Sequence, residues 1–158
     1  MWKERTKKMG KVTSGVFPVN VNQFEVNVGT SDENWVTVAE LEECTVTIDN
    51  NTETWKSFAN GGWESALVTG KSAKIEIKGK RCVGDAGNDF IAGKLLANGQ
   101  DAYVPARLTI ADGKVLTWAK MACAVANAGT GGSATDVGAL EATLTGHGKP
   151  TLTDAPAV

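Results

Sequence analysis

The chain predicts a mainly β protein, a β-sandwich or partly rolled barrel with one flanking α-helix and a long loop. Three observations carry this. Short runs alternate apolar and polar residues, as half-buried strands do. Gly, Asn and Asp punctuate these runs at turn-like positions, and the sequence holds 18 Gly. One stretch, residues 85–98, has the spacing of an amphipathic helix closed by Asn98-Gly99.

The 158 residues suit one domain with its own core. We expect an arm over 1–20, the β domain over 21–149 and a tail over 150–158. An apolar fraction of 42% and a charged fraction of 22% are ordinary for a globular chain. The net charge of -2 argues against a tight grip on nucleic acid, because that affinity comes from neutralising phosphates. No run approaches the ~20 apolar residues that span a bilayer. The opening MWKERTKKMGKV is basic without an apolar stretch behind it, so a soluble cytoplasmic protein is expected.

The elements follow in order. Residues 1–20 form a basic arm, with Lys3, Arg5, Lys7, Lys8 and Lys11 against Glu4. Val21–Val28 alternates, and Phe24, Val26 and Val28 make a core stripe. Gly29–Asp32 reads as a turn. Trp35–Asp49 is one long strand or an interrupted pair, because Glu40 and Glu42 break the stripe of Val36, Val38, Cys44, Val46 and Ile48. A bend or bulge is expected near Leu41. Trp55, Phe58 and Ala59 at i, i+3 and i+4 suggest one or two helical turns, with Asn50 as cap, Glu53 at the box position and Asn60-Gly61 as stop. Ala73–Val83 is a strand with Ile75 and Ile77 inward. Asp85–Asn98 is the helix, capped by Asp85 or Asn88, with Phe90, Ile91, Leu95 and Leu96 on its apolar face. Gly93 weakens it by roughly 1 kcal/mol relative to Ala.

Asp112-Gly113 between two alternating runs predicts a hairpin with a type I′ turn. Its second strand, 114–127, is largely apolar on both faces, which suits cover by a core on one side and a neighbouring subunit on the other. Gly129–Ser133 is a loop, and Val137–Thr145 is the last strand.

No residue set points to catalysis or a cofactor. His147 is the one histidine and sits between glycines, as a turn residue. No Ser or Cys has a nucleophile motif, and Gly129–Gly132 lacks the lysine and helix of a phosphate loop. Asp85 and Asp89 share helical spacing, but helix starts favour acids anyway. Cys44, Cys82 and Cys123 lack metal-ligand spacing and are expected to be free thiols. An enzyme is the least favoured class.

Several local patterns together resemble the major tail protein of long-tailed phages. They are Trp35–Val38, Asp49–Trp55, the Gly-Trp…Val-Thr-Gly segment Gly62–Gly70, Gly79–Asp85 leading into Asn88–Ile91, the Asp112-Gly113 hairpin, and Gly148–Pro150. Their order, over roughly residues 15–150, carries the resemblance. It implies a β-sandwich with one helix that forms hexameric rings, stacked into a tube whose bore conducts DNA. Implied partners are further copies of the chain, a tape measure protein, distal tail or baseplate proteins and a tail terminator. DNA would pass without specific binding, no membrane is involved, and no cofactor or metal is needed. The implied place is the virion tail, assembled in the host bacterial cytoplasm.

Under that resemblance, residues 50–72 are the stacking element, with Trp55, Phe58 and Trp63 as aromatic anchors. Glu40, Glu42, Glu43 and Asp49 are candidate bore residues, since every charge from Asp32 to Thr54 is acidic and symmetry would repeat it as rings. Lys71, Lys74, Lys78 and Arg81 are candidate interface cations. The competing reading is an immunoglobulin-like or carbohydrate-binding sandwich on a virion or cell surface, monomeric, with a ligand site on its loops.

Overall fold

Alternation sets the strands, and a tight corner sets how they turn. The computed structural model describes residues 11–154. A 3-10 turn at Val19–Val21 leads into β1 (Gln23–Asn27). β2 (Trp35–Thr37) pairs antiparallel with it. β3 (Leu41–Lys56) and β4 (Glu64–Lys80) form a long antiparallel hairpin. α1 (Ala86–Ala92) follows, then β5 (Tyr103–Thr109), β6 (Lys114–Ala128), β7 (Ala139–Gly146) and β8 (Thr151–Asp154).

Among the described residues all eight strands belong to one antiparallel sheet, ordered β2-β1-β5-β6-β7-β4-β3, with β8 on β6. The sheet curls until its two ends share a core. Phe24 and Val26 of β1 lie in the same buried cluster as Ile75 and Ile77 of β4, with Trp118, Met121 and Leu144 between. The rolled form, rather than two separate sheets, is therefore what the alternating stripes build. Ile91 of α1 is fully buried and joins the same cluster.

The interrupted strand expected at 35–49 is two strands joined by a corner. Glu40 takes a positive φ of 61°, and the β3–β4 register shifts between Leu41 and Glu43. Gly79 faces this corner. A Cβ there would stand 2.2 Å from the Glu40 carbonyl oxygen, so only glycine lets the strands close.

Four expectations need correction. Residues 50–56 are strand rather than helical turns, because each pairs with β4; only Phe58–Asn60 is helical, a 3-10 turn closed by Gly61 in the left-handed region. The helix ends at Ala92 with Gly93 as cap. The weak propensity there and the turns that follow leave Leu96 exposed rather than on a buried face. The hairpin at Asp112-Gly113 uses another turn. The Gly113 N–H donates to the Ile110 carbonyl at 2.9 Å, and only Gly113 of the pair has positive φ, at 91°. That is the three-residue loop with glycine in the last place. Finally, residues 151–154 form β8, and Lys114 Nζ bonds Asp154 Oδ1 at 2.5 Å. Residues 155–158 lie outside the described residues.

β6 does not keep one parity. Trp118, Met121 and Cys123 all face the core. Val104 and Ala106 of β5 pair with Met121 and Trp118, so β6 carries one extra residue between them. The bulge turns the inward side from even to odd positions. The opposite face shows Ala122 and Ala124 to solvent.

α1 packs tightly on the backbone next to β2. A Cβ on Gly87 would sit 2.3 Å from the Thr37 carbonyl oxygen. Helix propensity alone favours Ala over Gly by about 1 kcal/mol. The clash wins here: Gly87→Ala should lower stability by roughly 2–3 kcal/mol, as overpacked sites do. Urea unfolding midpoints check the sign.

Candidate assembly surfaces

The hairpin β3–β4 outruns the rest of the sheet. β7 pairs with β4 only from Lys74 to Lys80, so residues 50–56 and 64–71 pair with each other alone. Seven residues at about 3.3 Å each carry the ribbon roughly 20 Å past its last neighbouring strand. A bulge between Asn51 and Thr52 bends it, tied by Asn51 Nδ2 to Thr69 Oγ1 at 2.8 Å. Lys71 Nζ bonds Asn50 Oδ1 across the ribbon, and Asn60 bonds Ser65 near the tip.

Both faces of this ribbon carry exposed apolar groups. Glu53–Leu67 and Trp55–Ser65 are cross-strand pairs on one face; Thr52–Val68 and Thr54–Ala66 are on the other. Leu67 is 58% exposed and Val68 50%. Trp55 is 48% exposed, Trp63 81%, and Phe58 fully exposed. Two-stranded ribbons are marginal in water, and exposed apolar patches on this scale mark contact surfaces. Of the three aromatics expected on a stacking element, Trp55 stands on the extended ribbon and Phe58 and Trp63 on the loop at its tip.

The acids divide: Glu40, Glu42 and Glu43 line one cleft between β1 and the start of β3, and Asp49 does not. Cys44 and Val46 turn toward the core, which places Glu43, Thr45, Thr47 and Asp49 on the outward face. Glu40 occupies the positive-φ corner, and Glu42 lies at the bulge, bridged to Lys80 at 3.2 Å. Lysines interleave on the outward face. Lys78 stands between Glu43 and Glu141, and Lys74 between Thr47 and Thr145. Lys74 also meets Glu76 of its own strand at 3.2 Å. The outward face is therefore mixed in sign, small in side chain near β6, and free of aromatic residues at these positions.

Arg81 belongs elsewhere. Its Nη1 donates to Asn88 Oδ1 and Asp89 Oδ1 at 2.8 Å and to the Cys82 carbonyl at 3.1 Å. Asn88 is fully buried. Its Nδ2 donates to the Ala39 and Lys80 carbonyls, both at 3.0 Å, while its Oδ1 also accepts from the Cys82 N–H. Asp85 caps the helix through Asn88 N–H and holds Ala39 N–H with the same oxygen. One amide and one carboxylate thus pin α1 to the β2–β3 corner and to the end of β4. Sequence reading offered Asn88 only as a cap; its burial depends on the corner at Ala39, far away in the chain.

Two sheet edges complete the picture, since β2 and β3 each end the strand order. An open edge presents unpaired N–H and C=O groups and can take another strand. β3 is the long one, spanning Leu41–Lys56. At the opposite end, Arg107 pairs with Glu25 at 3.0 Å and stacks 4.6 Å from the Trp35 ring, which holds the short edge strand in place.

The cysteines are free, with Cys123 buried and Cys44 and Cys82 half-buried. Burial pushes the Cys44 and Cys123 thiols up to about 11 each, with Lys94 opposing this at Cys123. Among the described residues no group of three His, Cys, Asp or Glu is placed to hold a metal ion. No described helix is long and apolar enough to cross a membrane.

Comparison with known proteins gives a consistent fold. No family model matches the chain, and no curated protein does. Solved structures do. The chain is similar to one in the tail of an empty gene transfer agent particle, refined helically in C6 symmetry. That match has a TM-score of 0.62 and 17% identity, over 85% of this chain and 95% of the other. A chain in the virion of the native gene transfer agent gives 0.59 at 18% identity, over 83% and 95%. The tube-terminating cap of the anti-feeding prophage gives 0.57 at 13% identity, over 95% and 99%. The fold is the tail-tube type found in such particles, as the resemblance in the sequence implies.

Proposed function

We propose that the protein is a structural subunit of a phage-type tail tube, assembling into stacked hexameric rings whose bore conducts DNA. The observation that carries this is the ribbon formed by residues 50–72. It extends past the core with apolar groups on both faces, and nothing within the described chain covers Trp63 or Phe58. A second copy supplies the missing cover. The open edges of β2 and β3 support ring formation by a heterologous contact that closes on itself. A chain of similar fold stands in a tail of C6 symmetry, which supports six copies per ring.

In this reading the outward face of β4, β7 and β6 lines the bore. Its alternating lysines and carboxylates, with small Ala122 and Ala124, give passing phosphate neither a strong cationic trap nor a stacking platform. The ribbon with Trp55, Phe58 and Trp63 reaches the next ring, and Lys71 lies at its base. Tape measure, terminator and distal tail proteins meet the tube at its interior and ends. The assembly forms in the host cytoplasm and ends in the virion.

Sedimentation velocity across a concentration series, followed by negative-stain microscopy, tests the proposal. Rings and tubes that grow with concentration are expected. A protein that stays monomeric at high concentration, even beside its tail initiator, overturns it.

A further inference from the structure

The rolled sheet does not close, and its seam is a groove. A cleft of about 370 Å³ runs between β1 and the start of β3. Phe24, Val38, Leu41, Cys44 and Leu108 give it apolar walls, and Val19 stands exposed beside them. Among the described residues its charged lining is acidic: Glu40, Glu42 and Glu43, with Glu42 also bridged to Lys80. Residues 1–10 of the expected basic arm lie outside the described residues. An ionised carboxylate accepts hydrogen bonds and donates none. The cleft therefore suits a side chain with an apolar body and a donor at its edge.

The tip of the ribbon carries such a group. Lys56 and Glu64 face each other as its last cross-strand pair, and residues 57–63 between them hold no charge. Trp63 is largely exposed there, and its indole joins one N–H donor to an apolar body. Phe58 beside it has no donor. Trp63 does not meet the cleft of its own chain, since no residue of the ribbon lines that cleft. The cleft lies at the start of β3 and the tip beyond its end. Eleven residues separate Cys44 from Trp55, roughly 36 Å along the strand. An anchor at one end and a receptor at the other can meet only between copies, head to tail.

We infer that Trp63 of one copy seats in the cleft between β1 and β3 of the next copy. Its ring lies against Phe24, Leu41 and Leu108, and its indole N–H turns to the carboxylates of Glu40, Glu42 and Glu43. The contact rests on the tube proposal and supplies the surface that receives the ribbon. Because tip and seam lie at opposite ends of β3, repeating the contact gives a column of copies that all point one way.

An Ala59→Cys full-length chain tests this, because it keeps Trp63 and Phe58 and because Cys44 lines the cleft. Tubes built from a mixture of isotopically light and heavy chains are treated with a short bismaleimide, and linked peptides are mapped by mass. Links from position 59 to Cys44 should join light to heavy peptides. A link within one chain, links to Cys82 or Cys123 with none to Cys44, or no link overturns the inference. If tubes form and the link is missing, the seat of Trp63 fails alone. If the protein never assembles, the tube proposal fails with it. The unaltered chain gives a second measurement. Maleimide labelling of Cys44 should slow about tenfold from dilute monomer to tube as the thiol gains cover, and equal rates overturn the inference. Trp63→Phe keeps a ring and loses the donor. It should raise the concentration needed for assembly about fivefold, and an unchanged concentration overturns the seating of the indole.

Discussion

Replacing residues 50–71 with an Asn-Gly turn leaves a folded protein that no longer assembles. The cut falls between Asp49 and Ser72, which pair directly, so a two-residue turn joins them without strain. Nothing removed belongs to the buried cluster, which lies on Ile75 and Ile77 of β4 and on its neighbours. Thermal unfolding should therefore keep its cooperative transition. Rings that stack through the ribbon lose all stacking, so microscopy should show no tubes at any concentration. Trp63→Ala and Phe58→Ala give graded versions. Truncating a central aromatic anchor costs about 2 kcal/mol or more at an interface. Each such loss raises the concentration needed for assembly more than tenfold. A variant without residues 50–71 that still builds tubes would remove the main support for the proposed function.

Asn88→Ala carries the largest expected cost in stability. The amide is fully buried and makes four hydrogen bonds, two as donor and two as acceptor. Its loss strands the Ala39 and Lys80 carbonyls and the Cys82 N–H, and deprives Arg81 of one acceptor. Each buried group left without a partner costs about 1–3 kcal/mol. We expect a total of at least about 3 kcal/mol, near the large end for single substitutions. Arg81→Met should cost less, because Arg81 is partly exposed and its other partner, Asp89, remains in solvent contact. Guanidinium unfolding of the two variants compares them. A loss under about 1 kcal/mol for Asn88→Ala, below the cost of even one stranded group, would show that the corner at Ala39 holds without its amide.

Much of the fold is legible in the chain. Period-two stripes name the inward residues of β1, β4 and β7, and these are the buried ones. Asp85 is readable as a cap, and Asp112-Gly113 as a hairpin. Where the reading failed, a local signal was outweighed by a partner far along the chain. Trp55, Phe58 and Ala59 have helical spacing, yet residues 50–56 each find a strand partner in 64–71, and a short isolated helix cannot match that. The candidate surfaces divide in the same way. The three aromatics stood out because they lie among turn residues, and the structure places Trp55 on the ribbon and Phe58 and Trp63 at its tip. The acids stood out as a run; Glu40, Glu42 and Glu43 meet in one cleft at the corner before β3, while Asp49 stands farther along the strand.

What the sequence determined by itself was most of the strands, the one capped helix and the inward residues of β1, β4 and β7, because these depend on neighbours one to four positions away. Tertiary structure alone decided that the sheet is single and rolled, that Asn88 locks α1 to the β2–β3 corner, and that the seam beside β3 is an acidic cleft. Those features bring together residues tens of positions apart. Only strand order, a bulge in β6 and the glycine contact at Gly79 put them side by side.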